Sequence, residues 1–501
     1  MLRKLKIVEV TISTEKARPP QPTVGHIAPE GAEGNFCLLV TEGMKIPRGI
    51  YVRIDDNQEH FIARVCEGPF FGKDSRLSVY KLEVTAMIMN GRKLGVSSTP
   101  KPGSEVVMLD SESAQAYLGS AGDIRVGRLT GQPEVKVSVD SKVLTRHMGL
   151  FGTTGSGKSN TLQVLAEESC ESGRAVLIFD VEGEYVKMNE ATEELIPILA
   201  EFGEKPRGMR DFEPYVPASK TCANADAKKF GIPFKNLDLD VFSDILALDA
   251  FERFYFLELA EKIRTQAGTL QAYSLESIMN SVRKRVESQM DSTSRIPQMV
   301  AQAHMSLFTK LSVAKRVGVI DANYEAISPL DFCAPGRVSV IDLSESSDLL
   351  RNVCVAHFLN EVFKFKTRSP NTTPLTVFVE EIHTFISKGK SAKMLATLTM
   401  LTEMARQGRK RGLSLGIVSQ QPALVPGELI ELCNTRFIHK LGSLPNLQAL
   451  RNSTGNVPES LWATLPSLGR GEALIATPAL EHAVVTQVRP NRSKRLKQEF
   501  G

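Results

Sequence analysis

Two rhythms of apolar and polar positions divide the chain. Over residues 1–140 the apolar runs are short and lie between Gly, Pro, Asn and Asp turns, as at Tyr51–Ile54, Ile62–Cys66, Val79–Met87 and Val135–Val139. Several short strands at that spacing predict a small β-barrel or sandwich. The Pro- and Gly-rich stretch 18–31 reads as a loop. From about residue 146 the pattern changes to apolar strands alternating with helical spacing. Ala175–Asp180, Val338–Asp342 and Leu375–Glu380 are continuous apolar runs that end in an acid, and Leu413–Ser419 and Arg436–Leu441 are later strands of the same kind. Runs of this type between helices predict a parallel sheet covered on both faces, with functional residues at the strands' carboxyl ends.

The stretch 190–335 is too long for a loop. Apolar positions at helical spacing over Val241–Ile263, Ser274–Val286 and Ile296–Val313 predict a mostly helical insertion. Two strands, Glu472–Thr477 and His482–Val488, follow near the end. The basic run Arg492–Lys497 after them reads as a solvated tail. The expected organisation is a barrel over 1–140, an α/β core over 141–190 and 336–490, a helical insertion over 191–335 and a tail over 491–501.

Composition narrows the class. The chain has 501 residues, 42% of them hydrophobic and 24% charged, with a net charge of +4. This is an ordinary globular balance that permits a nucleic-acid partner without requiring one. Seven scattered cysteines with no C-x-x-C argue against a disulfide scaffold or zinc module and for a reducing, cytoplasmic setting. No apolar run approaches the roughly 20 residues of a membrane helix.

Candidate chemistry begins at Gly152-Thr153-Thr154-Gly155-Ser156-Gly157-Lys158-Ser159, followed by Asn160. This is a complete G-x-x-x-x-G-K-[ST] loop between a strand, Met148–Phe151, and a helical pattern through Leu162, Leu165 and Ala166. Glycines free the backbone for the turns, and backbone N–H groups at a helix start face phosphates. Lys158 supplies a cation for the β- and γ-oxygens, and the Ser159 hydroxyl suits Mg²⁺. The expected cofactors are therefore ATP and Mg²⁺.

Leu375–Val379 then ends in Glu380 and Glu381. The first acid is assigned to the metal and the second to the attacking water, although the first is more commonly Asp. At the next helix end, Arg406 and then Arg409 are candidates for a guanidinium aimed at transition-state charge; by residue type alone the same cluster could face solvent or a helix dipole. Gln420, after Leu413–Ser419, is a candidate γ-phosphate sensor or a turn residue. Asp180 could join a metal and water network or hold the turn at Gly183. Lys388, Lys390 and Lys393 lie in a Gly/Ser loop suited to sequence-independent phosphate contacts, or to a plain surface loop. Arg283-Lys284-Arg285 reads as a solvated helix face.

Taken in order, these strings resemble the HerA–FtsK group of ring-forming P-loop ATPases, and the HerA family most closely. The matching strings are Arg146-His147 before the phosphate loop, Asp-Val-Glu-Gly-Glu-Tyr at 180–185 and Val-Glu-Glu-Ile-His at 379–383. To these are added Ala-Arg-Gln-Gly-Arg-Lys at 405–410, Val-Ser-Gln-Gln-Pro at 418–422, Asn-Thr-Arg at 434–436, Gly-Glu-Ala-Leu-Ile at 471–475 and Ile-Arg-Val-Gly-Arg-Leu at 124–129. The resemblance implies an α/β fold: a RecA-like P-loop ATPase core with an N-terminal HAS-type β-barrel and a helical insertion. It also implies a homohexamer with ATP sites between subunits, double-stranded DNA in the pore, Arg406 acting in trans, and Arg146 as a second basic residue near the nucleotide. A NurA-like nuclease or another effector would dock on the barrel. Two functions follow as expectations: a DNA translocase or helicase working in DNA end processing, or an ATP-dependent scaffold that assembles an effector enzyme.

Overall fold

The computed structural model describes residues 22–496 apart from short breaks at 31–33, 57–58, 72–75, 91, 119–121, 267–272, 291–297, 387–394, 456, 479 and 481. Seven strands come first: β1 (Thr23–Ile27), β2 (Phe36–Glu42), β3 (Tyr51–Asp56), β4 (Glu59–Phe71), β5 (Leu77–Met89), β6 (Arg92–Leu94) and β7 (Glu105–Met108). They pair antiparallel in the order β2-β1-β7-β3-β4-β5-β6, and a β2–β5 pairing closes six of them into a barrel. Closure removes the free edges that an open sheet would expose. Inward positions such as Leu39, Val52, Phe61, Tyr80 and Leu82 fill the interior.

The second sheet contains twelve strands. They are β8 (Ile124–Leu129), β9 (Gln132–Val139), β10 (Met148–Phe151), β11 (Ala175–Asp180), β12 (Phe212–Pro217), β13 (Lys228–Phe230), β14 (Val338–Asp342), β15 (Leu375–Val379), β16 (Leu413–Ser419), β17 (Thr435–His439), β18 (Glu472–Ala476) and β19 (Val484–Val488). Their order is β13-β12-β14-β11-β15-β16-β10-β17-β18-β19-β8-β9, parallel from β13 to β17 and antiparallel beyond. Successive side chains leave a strand on opposite faces. Val176 and Ile178 of β11 therefore join Leu162 and Leu165 of the phosphate-loop helix (Lys158–Glu171), whereas Leu177 and Phe179 join Phe230, Phe256 and Phe358 on the other face.

Four sequence expectations change. The stretch 18–31 was read as a loop, but β1 (Thr23–Ile27) lies within it and pairs with β2 and β7. The segment 124–139 was placed in the barrel, but β8 and β9 extend the core sheet by pairing with β19. Gly127 allows that approach, since a Cβ there would lie 2.0 Å from the Gln487 carbonyl oxygen. The stretch 191–335 is not only helical: β12 and β13 widen the parallel sheet beside β14, before the helices Ala250–Gln266, Leu275–Met290 and Gln298–Arg316. Pro214 and Pro217 in β12 weaken the strand pattern of this segment. The tail is not solvated through residue 496. Asn491, Arg492 and Ser493 are buried, and Arg492 is ion-paired to Glu167, Glu168, Glu171 and Glu204.

Candidate active site

The parallel strands end together at one edge, and the phosphate loop follows β10 there. Gly152, Gly155 and Gly157 all have positive φ, at 152°, 73° and 122°. A Cβ on Gly157 would meet Gly471 Cα at 3.0 Å, so the loop requires glycine sterically as well as conformationally. Thr153 N–H donates to the Lys440 carbonyl at 2.9 Å, Ser156 Oγ donates to the Thr153 carbonyl at 2.6 Å, and Gly471 N–H donates to the Ser156 carbonyl at 2.8 Å. Gly157 is the N-cap of the following helix and supplies no side-chain acceptor to its first-turn N–H groups, the donors a phosphate takes. Ser159 lies half-buried in that first turn.

Lys158 is buried, and its Nζ donates to the Thr153 carbonyl at 3.1 Å. Burial lowers its pKa, against the opposing pull of Glu381, Glu380, Glu184 and Glu182. These acids gather from two turns. After β15, Glu380 is only 3% exposed. Its Oε1 accepts from the Tyr185 hydroxyl at 2.9 Å, and its Oε2 is buried without a hydrogen-bond partner. Burial first, then Asp180 and Glu184, raise the pKa of Glu380 well above the carboxylate range. Glu381 holds φ 44°, a left-handed conformation that costs a non-glycine residue energy. Its Oε2 stands 3.1 Å from His383 Nδ1, which in turn lies 3.2 Å from Ser419 Oγ.

After β11, Asp180 is fully buried. Its Oδ1 accepts from the N–H groups of Glu182, Gly183 and Glu184, and its Oδ2 accepts from Tyr185 N–H at 2.8 Å. These four bonds hold the turn at Gly183. Burial raises its pKa to about 7, with Asp342 and Glu184 adding to the effect. Gln420 sits at the end of β16, where its Oε1 accepts from Thr154 Oγ1 at 2.6 Å.

The remaining candidates divide. Asn160 was expected at the nucleotide, but its side chain turns to the C-terminal segment: Nδ2 donates to the Arg489 carbonyl and Oδ1 accepts from Asn491 N–H. Arg406 is 62% exposed and ion-paired to Glu428, with Nε 2.6 Å from Oε1. Arg409 is exposed in the turn that follows. Arg146 is half-buried beside His147, whose Nδ1 accepts from Leu415 N–H at 3.0 Å. Lys388, Lys390 and Lys393 lie outside the described residues.

Sequence reasoning passed over Tyr185, Glu182 and His383. Each stands inside a quoted string, at a fixed spacing from an acid, but its residue type alone names no task. His439 was also missed. It is buried between Thr161 Oγ1 at 2.9 Å and the Glu472 carbonyl at 2.8 Å, and burial holds its pKa down at about 4, so the ring is neutral and braces the loop from below.

A divalent cation fits this donor set. Mg²⁺ takes one or two carboxylates, keeps several waters and shares substrate phosphates. Glu380 offers a buried, unpartnered carboxylate oxygen, and among the described residues no cluster of three or more metal-ligating side chains competes with it.

Comparison with known proteins finds similarity to one family over part of the chain. The model of the helicase HerA central domain matches residues 124–362. The DNA double-strand break repair helicase HerA of Sulfolobus acidocaldarius is 26% identical over 386 residues, covering 74% of this chain and 70% of that protein. The protein of the same name from Saccharolobus solfataricus is 26% identical over 409 residues, covering 77% and 72%. Among solved structures, VirB4 of Thermoanaerobacter pseudethanolicus aligns with a TM-score of 0.50 at 14% identity, covering 74% of this chain and 97% of that one. The plasmid coupling protein TrwB in complex with ADP and Mg²⁺ also aligns at 0.50, with 15% identity, covering 76% and 92%. These two share the P-loop ATPase fold.

Proposed function

We propose that this P-loop ATPase, which is similar to the HerA helicases over residues 124–362, is an ATP-driven motor that moves along double-stranded DNA as a homohexameric ring. The observation that carries this reading is the convergence of Lys158, Glu380, Glu381 and Gln420 at one edge of the sheet. In this reading Lys158 and the loop N–H groups bind the phosphates of ATP. Ser159 and Glu380 hold Mg²⁺, which when bound neutralises charge on the phosphate oxygens. Glu381 orients the attacking water and takes its proton, and His383 fixes the Glu381 carboxylate. Gln420 reads the γ-phosphate through its position against Thr154. Arg406, on the surface, reaches the neighbouring subunit's site, and Arg146 and Arg409, which precede β10 and β16 and so lie at the sheet edge away from this chain's own phosphate loop, would meet a nucleotide held by a neighbouring subunit. Lys388, Lys390 and Lys393 would contact the duplex backbone in the pore.

A partner subunit, a nuclease in end processing, would dock on the barrel. The long β4–β5 hairpin supports this, because Phe70, Phe71 and Leu77 at the adjoining ends of its strands are each exposed. The same surface serves the second reading, a scaffold that uses ATP binding to assemble an effector enzyme. Among the described residues no helix is long and apolar enough to cross a membrane.

The test is the ATPase rate with and without linear duplex DNA at low and moderate salt. Stimulation that weakens with salt, and is lost when the three loop lysines become alanine, supports the motor. ATPase activity indifferent to DNA moves the weight to the scaffold.

A further inference from the structure

One stripe of the phosphate-loop helix is covered by the C-terminal segment. Asn160, Gln163, Glu167 and Glu168, with Glu171 at the end, face residues 489–494. Their spacing of three, four, one and three residues keeps them on a single helix face. Arg489 is 1% exposed and donates from both terminal nitrogens to Glu167 Oε2 at 3.0 Å and from Nη2 to Glu168 Oε1 at 2.8 Å. Glu167 Oε1 accepts from the N–H groups of Arg492 and Ser493 and from Ser493 Oγ. Gln163 Nε2 donates to the Ser493 hydroxyl at 2.7 Å.

The segment then crosses to the acid turn. Lys494 N–H donates to the Glu190 carbonyl, Leu496 N–H donates to the Glu184 carbonyl, and Arg495 pairs with Glu184. Glu184 belongs to the turn that Asp180 holds, and Tyr185 in that turn donates to Glu380. The segment 489–496 is thus stitched to Lys158's helix on one side and, on the other, to the turn that carries Tyr185, the partner of Glu380.

We propose that residues 489–496 form a strap that sets the distance between the phosphate loop and the acid turn, with Arg489 and Arg492 as positioning residues for nucleotide binding. The reasoning is geometric. The phosphate-binding helix and the metal-side acid lie on different elements, and a polar network this deeply buried has one favourable arrangement, so it transmits position. Coupling of this kind is reciprocal: if strap docking favours ATP, ATP must favour strap docking by the same factor. The inference rests on the ATPase reading only, not on DNA translocation.

Hydrogen exchange of the full chain tests it without mutation. In wild type, a saturating non-hydrolysable ATP analogue with Mg²⁺ should slow exchange at the Arg492, Ser493, Lys494 and Leu496 amides. Arg492→Ala should weaken binding of a fluorescent ATP analogue about fivefold or more, as expected for losing a buried charged hydrogen bond. Arg492→Lys, which keeps the charge, should recover part of it. Strap exchange unmoved by nucleotide, or an Arg492→Ala chain that melts earlier yet binds the analogue as wild type does, would show a purely structural clasp and overturn the proposal. Failure of the wild-type chain to bind the analogue at all would instead overturn the ATPase reading.

Discussion

Thr154 Oγ1 donates to Gln420 Oε1 at 2.6 Å, tying the phosphate loop to the end of β16. The two residues lie far apart in sequence and meet because β10 and β16 are parallel neighbours whose carboxyl ends align, with Phe151 opposite Ser419. A loop that must rearrange around a γ-phosphate is therefore linked to the strand leading out of the Arg406 turn. Gln420→Ala should leave ATP affinity within about threefold while lowering kcat about tenfold or more, because the lost contact acts on developing charge rather than on the bound ground state. Equal losses in affinity and kcat would remove Gln420 from the sensor role.

The Glu381–His383–Ser419 chain makes a second prediction. Glu381 is held in a left-handed conformation with its carboxylate against His383 Nδ1. Glu381→Gln should bind ATP normally and lose hydrolysis by about 10²-fold or more. His383→Ala should lower kcat by a smaller factor at unchanged ATP affinity, since the ring meets the Glu381 carboxylate and the Ser419 hydroxyl rather than the phosphate loop. Single-turnover hydrolysis beside equilibrium binding separates the two effects. Normal turnover by the Glu381 variant would reassign the water-activating group.

What the sequence disclosed and what it withheld follow from the range of the interactions. The phosphate loop, the acid pair and the apolar parallel strands are local patterns, and each could be read in place. β8 and β9 could not be placed, because their sheet is decided by pairing with β19 at the other end of the chain. Arg489 and Arg492 look like solvated charges until Glu167 and Glu168 are seen beside them. Asp180 offers the same carboxylate to a metal or to a turn, and the four N–H groups it accepts from are visible only in the fold. The partners of the Asn160 side chain are likewise out of reach of a local reading, being backbone groups from the C-terminal segment.

Acid lability follows from three buried histidines. Burial lowers the pKa of His147, His357 and His439 to about 4 from an ordinary 6.5. Between those values the unfolded chain binds protons that the folded chain refuses, so stability rises with pH and is lost as pH falls from 6.5 towards 4. Each group contributes at most roughly 3 kcal/mol across the window. The slope is the cleaner observable: His357→Met, away from the phosphate loop, should reduce it by about 1.4 kcal/mol per pH unit in the middle of the range. Denaturant unfolding followed by fluorescence of Trp462, the single tryptophan and buried, reads this directly. A slope unchanged by the substitution would mean that His357 protonates in the folded chain as it does in the unfolded one.

Arg406 gives the prediction that depends on assembly. Within one chain its guanidinium meets only the exposed Glu428 carboxylate among the contacts described, a surface pair worth about 1 kcal/mol or less. That weak tether is easily exchanged for a phosphate on an adjoining subunit. Arg406→Ala should bind ATP and fail to hydrolyse it, and Lys158→Ala should fail to bind ATP. Neither preparation alone should turn over. Mixed and allowed to exchange subunits, they should regain a fraction of wild-type ATPase, because an Arg406→Ala site can then receive the intact arginine of a Lys158→Ala neighbour. A mixture that stays inactive while light scattering shows mixed rings would place the finger elsewhere, with Arg409 the next residue to exchange.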